Sequence, residues 1–221
     1  MNIFDIIVTY RGMFITGIKV TLLLTVVMLI GGMLVGSIMA FGLTIKSKNP
    51  AVKLLKIVIR IYIEIFRGSP LLIQLFFGYF GIAYLGIDIS AYEACCIVLV
   101  LYAGAYICEI LRSGLESIPK GQFEAGYCIG LGYFDVMRYI IFPQAVKIFL
   151  PTLVGFFISA IKDTCIVSLI GCTDFIKQSQ VVINRTGAAI QVYIFVAVVF
   201  FIICYPLSLY VKKLENRRNR T

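Results

Sequence analysis

Long apolar stretches alternate with short charged ones along this chain. Residues 20–45, 68–87 and 186–211 contain no Asp, Glu, Lys or Arg, and residues 90–110 are charged only near their ends. A helix needs about 20 mostly apolar residues to cross the hydrocarbon core of a bilayer. The pattern therefore predicts four membrane-spanning helices at these positions.

A fifth candidate span covers residues 139–172, which are apolar but interrupted. Two prolines and three charged residues occur within it: Pro143, Lys147, Pro151, Lys162 and Asp163. Proline bends or breaks a helix, because it lacks an amide donor and its ring clashes with the preceding turn. We interpret the stretch as one bent span, and two shorter segments are the competing interpretation.

The composition excludes an ordinary water-soluble fold. Hydrophobic residues make up 61% of the chain and charged residues 14%, whereas soluble domains are about a quarter charged. We therefore expect an all-α membrane protein with about five transmembrane helices, forming one domain over residues 1–221. The chain contains no histidine, and its cysteines lack metal-binding spacing. We accordingly expect no catalytic site and no metal site.

The basic residues are distributed unevenly between the connections. Lys and Arg are concentrated in 46–60, in 112–138 and in the tail after residue 211, whereas 84–93 has none and 173–187 has two. Basic connections remain on the cytoplasmic side of a membrane. This bias predicts an external N-terminus and a cytoplasmic C-terminus in a multi-pass protein. Because the basic residues form no patch interleaved with aromatic residues, we expect contact with membrane lipid and none with nucleic acid.

Residues 50–68 have the pattern of an amphipathic helix. Its charged residues recur every three or four positions and so share one face: Lys53, Lys56, Arg60, Glu64 and Arg67. Two interpretations remain open, a helix in the membrane interface and the cytoplasmic half of a long second span. Ser69-Pro70 would break the helix in either case. The spacing of Glu64–Arg67 recurs in Glu109–Arg112 and permits ion pairs within each helix.

The connection 114–143 is too long for a tight turn and too regular for a disordered loop. A short helix beginning near Gln122 and ending at Gly130 and Gly132 is predicted, with Phe123 and Tyr127 at helical spacing. Such a helix can lie along the membrane surface between the third and fourth spans.

This connection resembles the EAA loop of bacterial ABC importer permeases. The family pattern is Glu-Ala-Ala, three residues, Gly, nine residues, Ile, one residue and Leu-Pro. Seven residues of this chain fall at that spacing: Glu124, Ala125, Gly126, Gly130, Ile140, Phe142 and Pro143. Gly126 replaces the second Ala and Phe142 replaces Leu. The glycine should loosen the helix by up to about 1 kcal/mol.

Three further segments resemble the polar amino-acid branch of the same family. Glu64–Leu75 (EIFRGSPLLIQL) is similar to its Glu-x-x-Arg-Gly-Thr-Pro-Leu-Leu-x-Gln-Leu segment, and Ala105–Ala125 is similar to the segment preceding the EAA loop. Ile161–Gly171 is similar to its Lys-Glu-Ser-x-x-x-Ser-x-Ile-Gly run, with Asp163 in place of Glu. The matches cover most of residues 60–171 in the right order.

The resemblance implies a permease subunit that imports a polar amino acid: glutamine, arginine, histidine, glutamate or cystine. It implies that the short helix sits in a groove of a separate ATPase subunit. The residues expected in this ATPase-coupling element are Gln122, Phe123, Glu124, Ala125, Gly126, Tyr127, Gly130 and Pro143. An extracellular solute-binding protein is also implied. A second permease copy or a paralogue is expected, because five spans form only half of a pathway.

ATP binding is not expected on this chain itself. No GxxxxGK[ST] phosphate-binding sequence occurs in it, so ATP and Mg²⁺ would be bound by the partner ATPase. We expect no cofactor on the permease. A secondary amino-acid transporter or a channel subunit, uncoupled from ATP, is the alternative, and it would not need the 114–143 element.

Lys162 and Asp163 are charged residues in an apolar span. Each costs about 2.5–3.5 kcal/mol at the centre of a bilayer, so each needs water, a partner or a ligand. One hypothesis is a cavity site for a zwitterion, with Lys162 near its carboxylate and Asp163 near its amino group. Gln74, Thr164 and Ser168 would add hydrogen bonds there. The other hypothesis is neutralisation within the helix bundle.

Overall fold

The structure is a computed structural model that describes residues 2–45 and 48–218, with side chains described as far as Lys213. These residues form helices and contain no strand. The α-helices are α1 Ile3–Thr9, α2 Arg11–Thr44, α3 Pro50–Gly68, α4 Leu71–Phe76, α5 Ile82–Tyr84, α6 Ala91–Glu116, α7 Lys120–Cys128, α8 Tyr133–Asp135, α9 Phe142–Asp163, α10 Phe175–Thr186 and α11 Ala189–Arg218. Two π-helical turns, Phe77–Gly81 and Val136–Ile141, and one 3₁₀ segment, Thr164–Ile170, continue α4, α8 and α9.

Four helical stretches in the described part of the chain are long and apolar enough to cross a membrane. They are Arg11–Thr44, Ala91–Glu116, Tyr133–Ile170 and Ala189–Lys213. A fifth is possible where α3 and the Leu71–Tyr84 stretch form a bent pair. The predicted all-α fold with about five spans is confirmed, and residues 139–170 belong to one continuous helical stretch despite their prolines.

The chain bends by 111° between α3 and the Leu71–Tyr84 stretch. Ser69 has an extended backbone, and Pro70 precedes the first residue of α4. The break predicted at Ser69-Pro70 is therefore confirmed. Both interpretations of α3 stay open, since the bent pair can form one broken span or a separate helix beside the second span.

Close approach of α2 to α6 organises the bundle. A Cβ atom on Gly32 would lie 2.4 Å from the Cβ of Ala103, and one on Gly36 would lie 2.8 Å from the carbonyl oxygen of Gly104. The two helices therefore touch almost backbone to backbone, as small residues spaced by four permit in membrane helices. α6 occupies the centre of the fold, with α2, α3 and α9 packed around it.

Two clusters of buried residues stabilise the helix bundle. The larger one surrounds α6, where Leu99 and Ile107 are fully buried with Leu24 and Met28 of α2. The smaller one is aromatic and joins α2, α10 and α11, with the rings of Phe14 and Phe195 4.9 Å apart, and Phe175 beside both. The backbone amide of Phe175 donates a hydrogen bond to Thr21 Oγ1 at 3.1 Å.

Candidate functional site

The connection between α6 and α9 contains the predicted short helix. α7 begins at Lys120, two residues before the predicted start, and Pro119 precedes it. Gly130 has a φ of +84°, a left-handed conformation that favours glycine, and its amide donates to the carbonyl of Tyr127 at 3.0 Å. The amide of Leu131 donates to the carbonyl of Gly126 at 3.2 Å. Gly130 therefore ends the helix as the sequence predicted.

Gly126 is buried where α7 contacts the helix that follows it. A Cβ atom at this position would lie 2.7 Å from Val136 Cγ2 and 3.0 Å from Ile140 Cδ1. Contacts that short require a neighbour to move, and the valine side chain is stiff about χ1. The glycine therefore allows close packing here, which helix propensity alone does not reveal.

The remaining coupling residues divide between the core and the surface. Phe123 is half-buried and packs against the larger core cluster. The exposed members of the predicted set are Gln122, Glu124, Ala125, Tyr127, Gly130 and Pro143. The side-chain oxygen of Gln122 accepts a hydrogen bond from Gln144 Nε2 at 3.1 Å, which links α7 to α9. α7 thus presents an exposed face while its other face is fixed to the bundle.

A cavity of about 420 Å³ lies between α7 and the ends of α2 and α6. Phe123 and Tyr127 line it together with four charged residues: Arg112, Glu116, Lys120 and Glu124. Its charge is balanced, since two cations face two carboxylates. The cavity places the predicted coupling residue Glu124 near two basic residues of the 112–138 connection, Arg112 and Lys120.

A polar face of α6 was not predicted from the sequence. Tyr102, Tyr106, Glu109 and Ser113 recur at spacings of four, three and four, which places them on one side of the helix. The Tyr106 ring stacks on Phe156 of α9, with 5.5 Å between the ring centroids. The spacing of these polar residues is a signal that the sequence contains. It is hard to recognise because the surrounding span is strongly hydrophobic.

Charged side chains connect this face to α3. Glu109 forms ion pairs with Arg112 at 2.6 Å and with Arg67 of α3 at 3.5 Å. Arg112 also pairs with Glu116 at 2.5 Å. The Glu109–Arg112 pair that the spacing permits is confirmed. Among the described residues Arg67 pairs across to α6 and no Glu64–Arg67 pair forms, because the bend after α3 brings Arg67 to Glu109 instead.

Lys162 and Asp163 lie at the end of α9, where it becomes the 3₁₀ segment. Lys162 is exposed and Asp163 is half-buried, and neither has an ion pair among the described residues. Asp163 lies within electrostatic reach of Tyr102 on the polar face of α6. The structure therefore relates Asp163 to the polar face, which the sequence did not indicate.

The other three predicted pathway residues are engaged by the protein backbone. Thr164 and Ser168 are buried, and their hydroxyls donate to the carbonyls of Ile161 at 2.8 Å and Cys165 at 2.9 Å. Gln74 Nε2 donates to the carbonyls of Phe66 and Ser69 at 2.8 and 3.0 Å, which braces the break between α3 and α4. Its buried Oε1 has no hydrogen-bond partner. These three residues do not form one hydrogen-bonded cluster with Lys162 and Asp163.

The seven cysteines are free thiols, and the described residues include no group of His, Cys, Asp and Glu able to hold a metal ion. Cys95, Cys108 and Cys172 are buried, and they pack as small hydrophobic residues in the core clusters.

Comparison with known proteins agrees with this architecture. A family described as binding-protein-dependent transport system inner membrane component matches residues 32–220. The chain is 33% identical over 210 residues to the probable glutamine ABC transporter permease protein GlnM of Bacillus subtilis (strain 168), covering 95% of each chain. It is 35% identical over 205 residues to the L-cystine transport system permease protein TcyB of the same organism, covering 92% of this chain and 86% of that one.

A solved structure is similar over nearly the whole fold. The crystal structure of an amino acid ABC transporter with histidines matches with a TM-score of 0.89 and 34% identity, covering 98% of this chain and 99% of that chain. These similarities identify the chain as the permease subunit of an ABC transporter. The chain belongs to the family of binding-protein-dependent transport system inner membrane components. It is a multi-pass membrane protein, and this family implies an ATPase and a substrate-binding protein as partners.

Proposed function

We propose that the chain forms the translocation pathway for a polar amino acid in an ATP-driven importer. The observation that carries the proposal is the exposed face of α7, to which Glu124 and Tyr127 belong. The opposite face of α7 packs on the bundle. The names of relatives that transport glutamine and cystine, and of a solved amino acid transporter, support the substrate class.

α7 acts as the coupling helix in this proposal. Its exposed residues seat in a groove of the ATPase, with Glu124 as the charged contact and Tyr127, 45% exposed, as the aromatic anchor. Gly126 against Val136 and Gln122 bonded to Gln144 transmit its displacement to α9. The partner binds and hydrolyses ATP, and this chain has no catalytic role.

The pathway lies along the polar face of α6 and beside the end of α9. Lys162 would meet the carboxylate of a zwitterionic substrate and Asp163 its ammonium group, with Tyr102 and Tyr106 lining the approach. A second permease copy, or a paralogue, faces this side and closes the pathway. The whole chain works as one transmembrane domain in a bacterial plasma membrane, with its N-terminus outside and its C-terminus in the cytoplasm.

Uptake into proteoliposomes tests the transport proposal. The chain is reconstituted with its co-purified ATPase and binding protein, and uptake of labelled glutamine, arginine and cystine is measured with internal ATP or a non-hydrolysable analogue. We expect uptake with ATP alone. Equal uptake under both conditions, or uptake driven by an ion gradient, would show a channel or a secondary transporter.

Substitution of the charged pair tests the pathway. Lys162→Met and Asp163→Asn remove the two charges with little change in volume, and we expect each to reduce uptake at least about tenfold, as loss of a charged hydrogen bond implies. Lys147→Met removes an exposed lysine from the first half of the same helix and should leave uptake near the unsubstituted value. Normal uptake by both of the first two variants would support neutralisation instead.

A further inference from the structure

An apolar crevice runs along the outside of the bundle between α2 and α9. Its volume is about 570 Å³, and its floor is the side of α6 that carries Leu111 and Leu115. Ala40 and Phe41 of α2 and Leu153 of α9 form its walls. All of these residues belong to candidate membrane spans, so the crevice opens within the half of the bilayer nearest α7.

The crevice lies on the opposite side of α6 from the polar face. Leu111 follows Glu109 by two residues, which is about 200° around a helix of 3.6 residues per turn. Leu115 is related to Ser113 in the same way. The inference rests on the proposed function, in which a second permease copy covers the polar face and leaves this opposite side to its surroundings. In a membrane, those surroundings are acyl chains.

The crevice adjoins the charge-balanced cavity beneath α7, which forms its charged end. Thr44, Leu115 and Met137 line both spaces. The charged end carries the cations Arg112 and Lys120. Its carboxylates are Glu116 and Glu124. A ligand that fits both parts has an apolar chain and a headgroup with one positive and one negative charge.

We propose that this crevice binds one phospholipid of the phosphatidylethanolamine class. An acyl chain lies along the α2–α9 crevice, the phosphate accepts a hydrogen bond from Lys120, and the ammonium group donates to Glu116, which Arg112 also contacts. A choline headgroup has no N–H donor for this carboxylate, and a glycerol headgroup has no positive charge to balance it. The lipid therefore contacts the coupling helix directly.

Tryptophan fluorescence can test this site, because the chain contains no tryptophan. Phe41→Trp places a reporter on the crevice wall, and Phe201→Trp places a matched reporter on α11, since both phenylalanines are 62% exposed. The complete transporter is reconstituted with brominated phosphatidylethanolamine, phosphatidylcholine or phosphatidylglycerol at one mole fraction. The signal of the complex with the unsubstituted permease is subtracted, which removes tryptophans of the partners.

We expect brominated phosphatidylethanolamine to quench the Phe41→Trp reporter several-fold more than the other two lipids, and all three to quench Phe201→Trp equally. Adding Lys120→Gln should reduce the preference at residue 41 to that of the control. Equal quenching at both positions, a preference for phosphatidylglycerol, or a preference unaffected by Lys120→Gln would overturn the proposal. Absence of quenching at residue 41 would also overturn it, since a protein segment would then fill the crevice.

Discussion

Asp174 caps α10 with a carboxyl group that is fully buried. One oxygen accepts a hydrogen bond from the amide of Lys177 at 2.9 Å, and the other has no hydrogen-bond partner. Burial raises the pKa of this carboxyl to about 6, and the hydrogen bonds from the backbone only partly offset the loss of water. At neutral pH the residue therefore lowers stability through its charge while it stabilises α10 as a cap.

Asp174→Asn should stabilise the protein at neutral pH. Between pH of about 4 and 6 the unfolded carboxyl loses its proton first, so the native state binds more protons and its stability falls as the pH rises. Asparagine caps a helix as well as aspartate and stays neutral. We expect the variant to gain about 3 kcal/mol at pH 7.5, since a pKa raised by about two units corresponds to that free energy, and almost nothing at pH 4.

Thermal unfolding in detergent at both pH values measures this difference. Asp88→Asn changes an exposed aspartate in the loop between α5 and α6 and serves as the control. Its unfolding temperature should match that of the unsubstituted chain at both values. An Asp174→Asn gain of the same size at pH 4 and 7.5 would rule out the buried charge as its cause.

The residue scale also shows a limit of sequence analysis. The charges of Lys162 and Asp163 are visible in the sequence, because charged residues are rare in apolar spans. The Arg67–Glu109 pair joins two helices and depends on the bend between α3 and α4. The spacing of Glu64 and Arg67 predicted a local pair, and nothing in the sequence gives the direction in which α3 leaves the bundle.

Among the helical elements, α7 joins an exposed surface to the bundle through its contacts with the helix that follows it. Its existence and its end at Gly130 follow from proline, glycine and apolar spacing, which are local signals. The packing of Gly126 on Val136 depends on how the chain turns back after Gly132, and this is a tertiary property. Helix propensity favours Ala over Gly at residue 126 by about 1 kcal/mol. The contact opposes that preference.

Gly126→Ala should destabilise the junction, whereas the substitution should become favourable when Val136 is shortened. Overpacking costs about 1–3 kcal/mol, which exceeds the gain in propensity. Val136→Ala removes the closest contact of the new Cβ, Val136 Cγ2 at 2.7 Å, and leaves the flexible end of Ile140 at 3.0 Å. The two substitutions should therefore show a coupling of at least about 1 kcal/mol. A double-mutant cycle from unfolding temperatures in detergent provides the value. Strict additivity would mean that the two positions do not interact.

At the scale of the whole molecule, hydrophobic patterning predicted the class of fold and about five spans. It left the fourth span undecided, because Pro143 and Pro151 are compatible both with a bent helix and with a break. The structure keeps Tyr133–Ile170 continuous by a π-helical turn before Pro143 and a 3₁₀ segment after Asp163. The family relationship then explains why the polar connection 114–143 is present, since a membrane bundle alone would not need α7.

Glu124→Lys in the reconstituted importer tests the central claim most directly, namely that α7 couples this chain to an ATPase. The measurement is substrate-stimulated ATP hydrolysis together with co-purification of the ATPase subunit. Asp135→Lys makes the same change of charge at an exposed position on α8 and is the control. We predict that Glu124→Lys reduces stimulated hydrolysis at least about tenfold and weakens assembly, as a reversed contact charge implies. Unchanged hydrolysis and assembly would contradict the account.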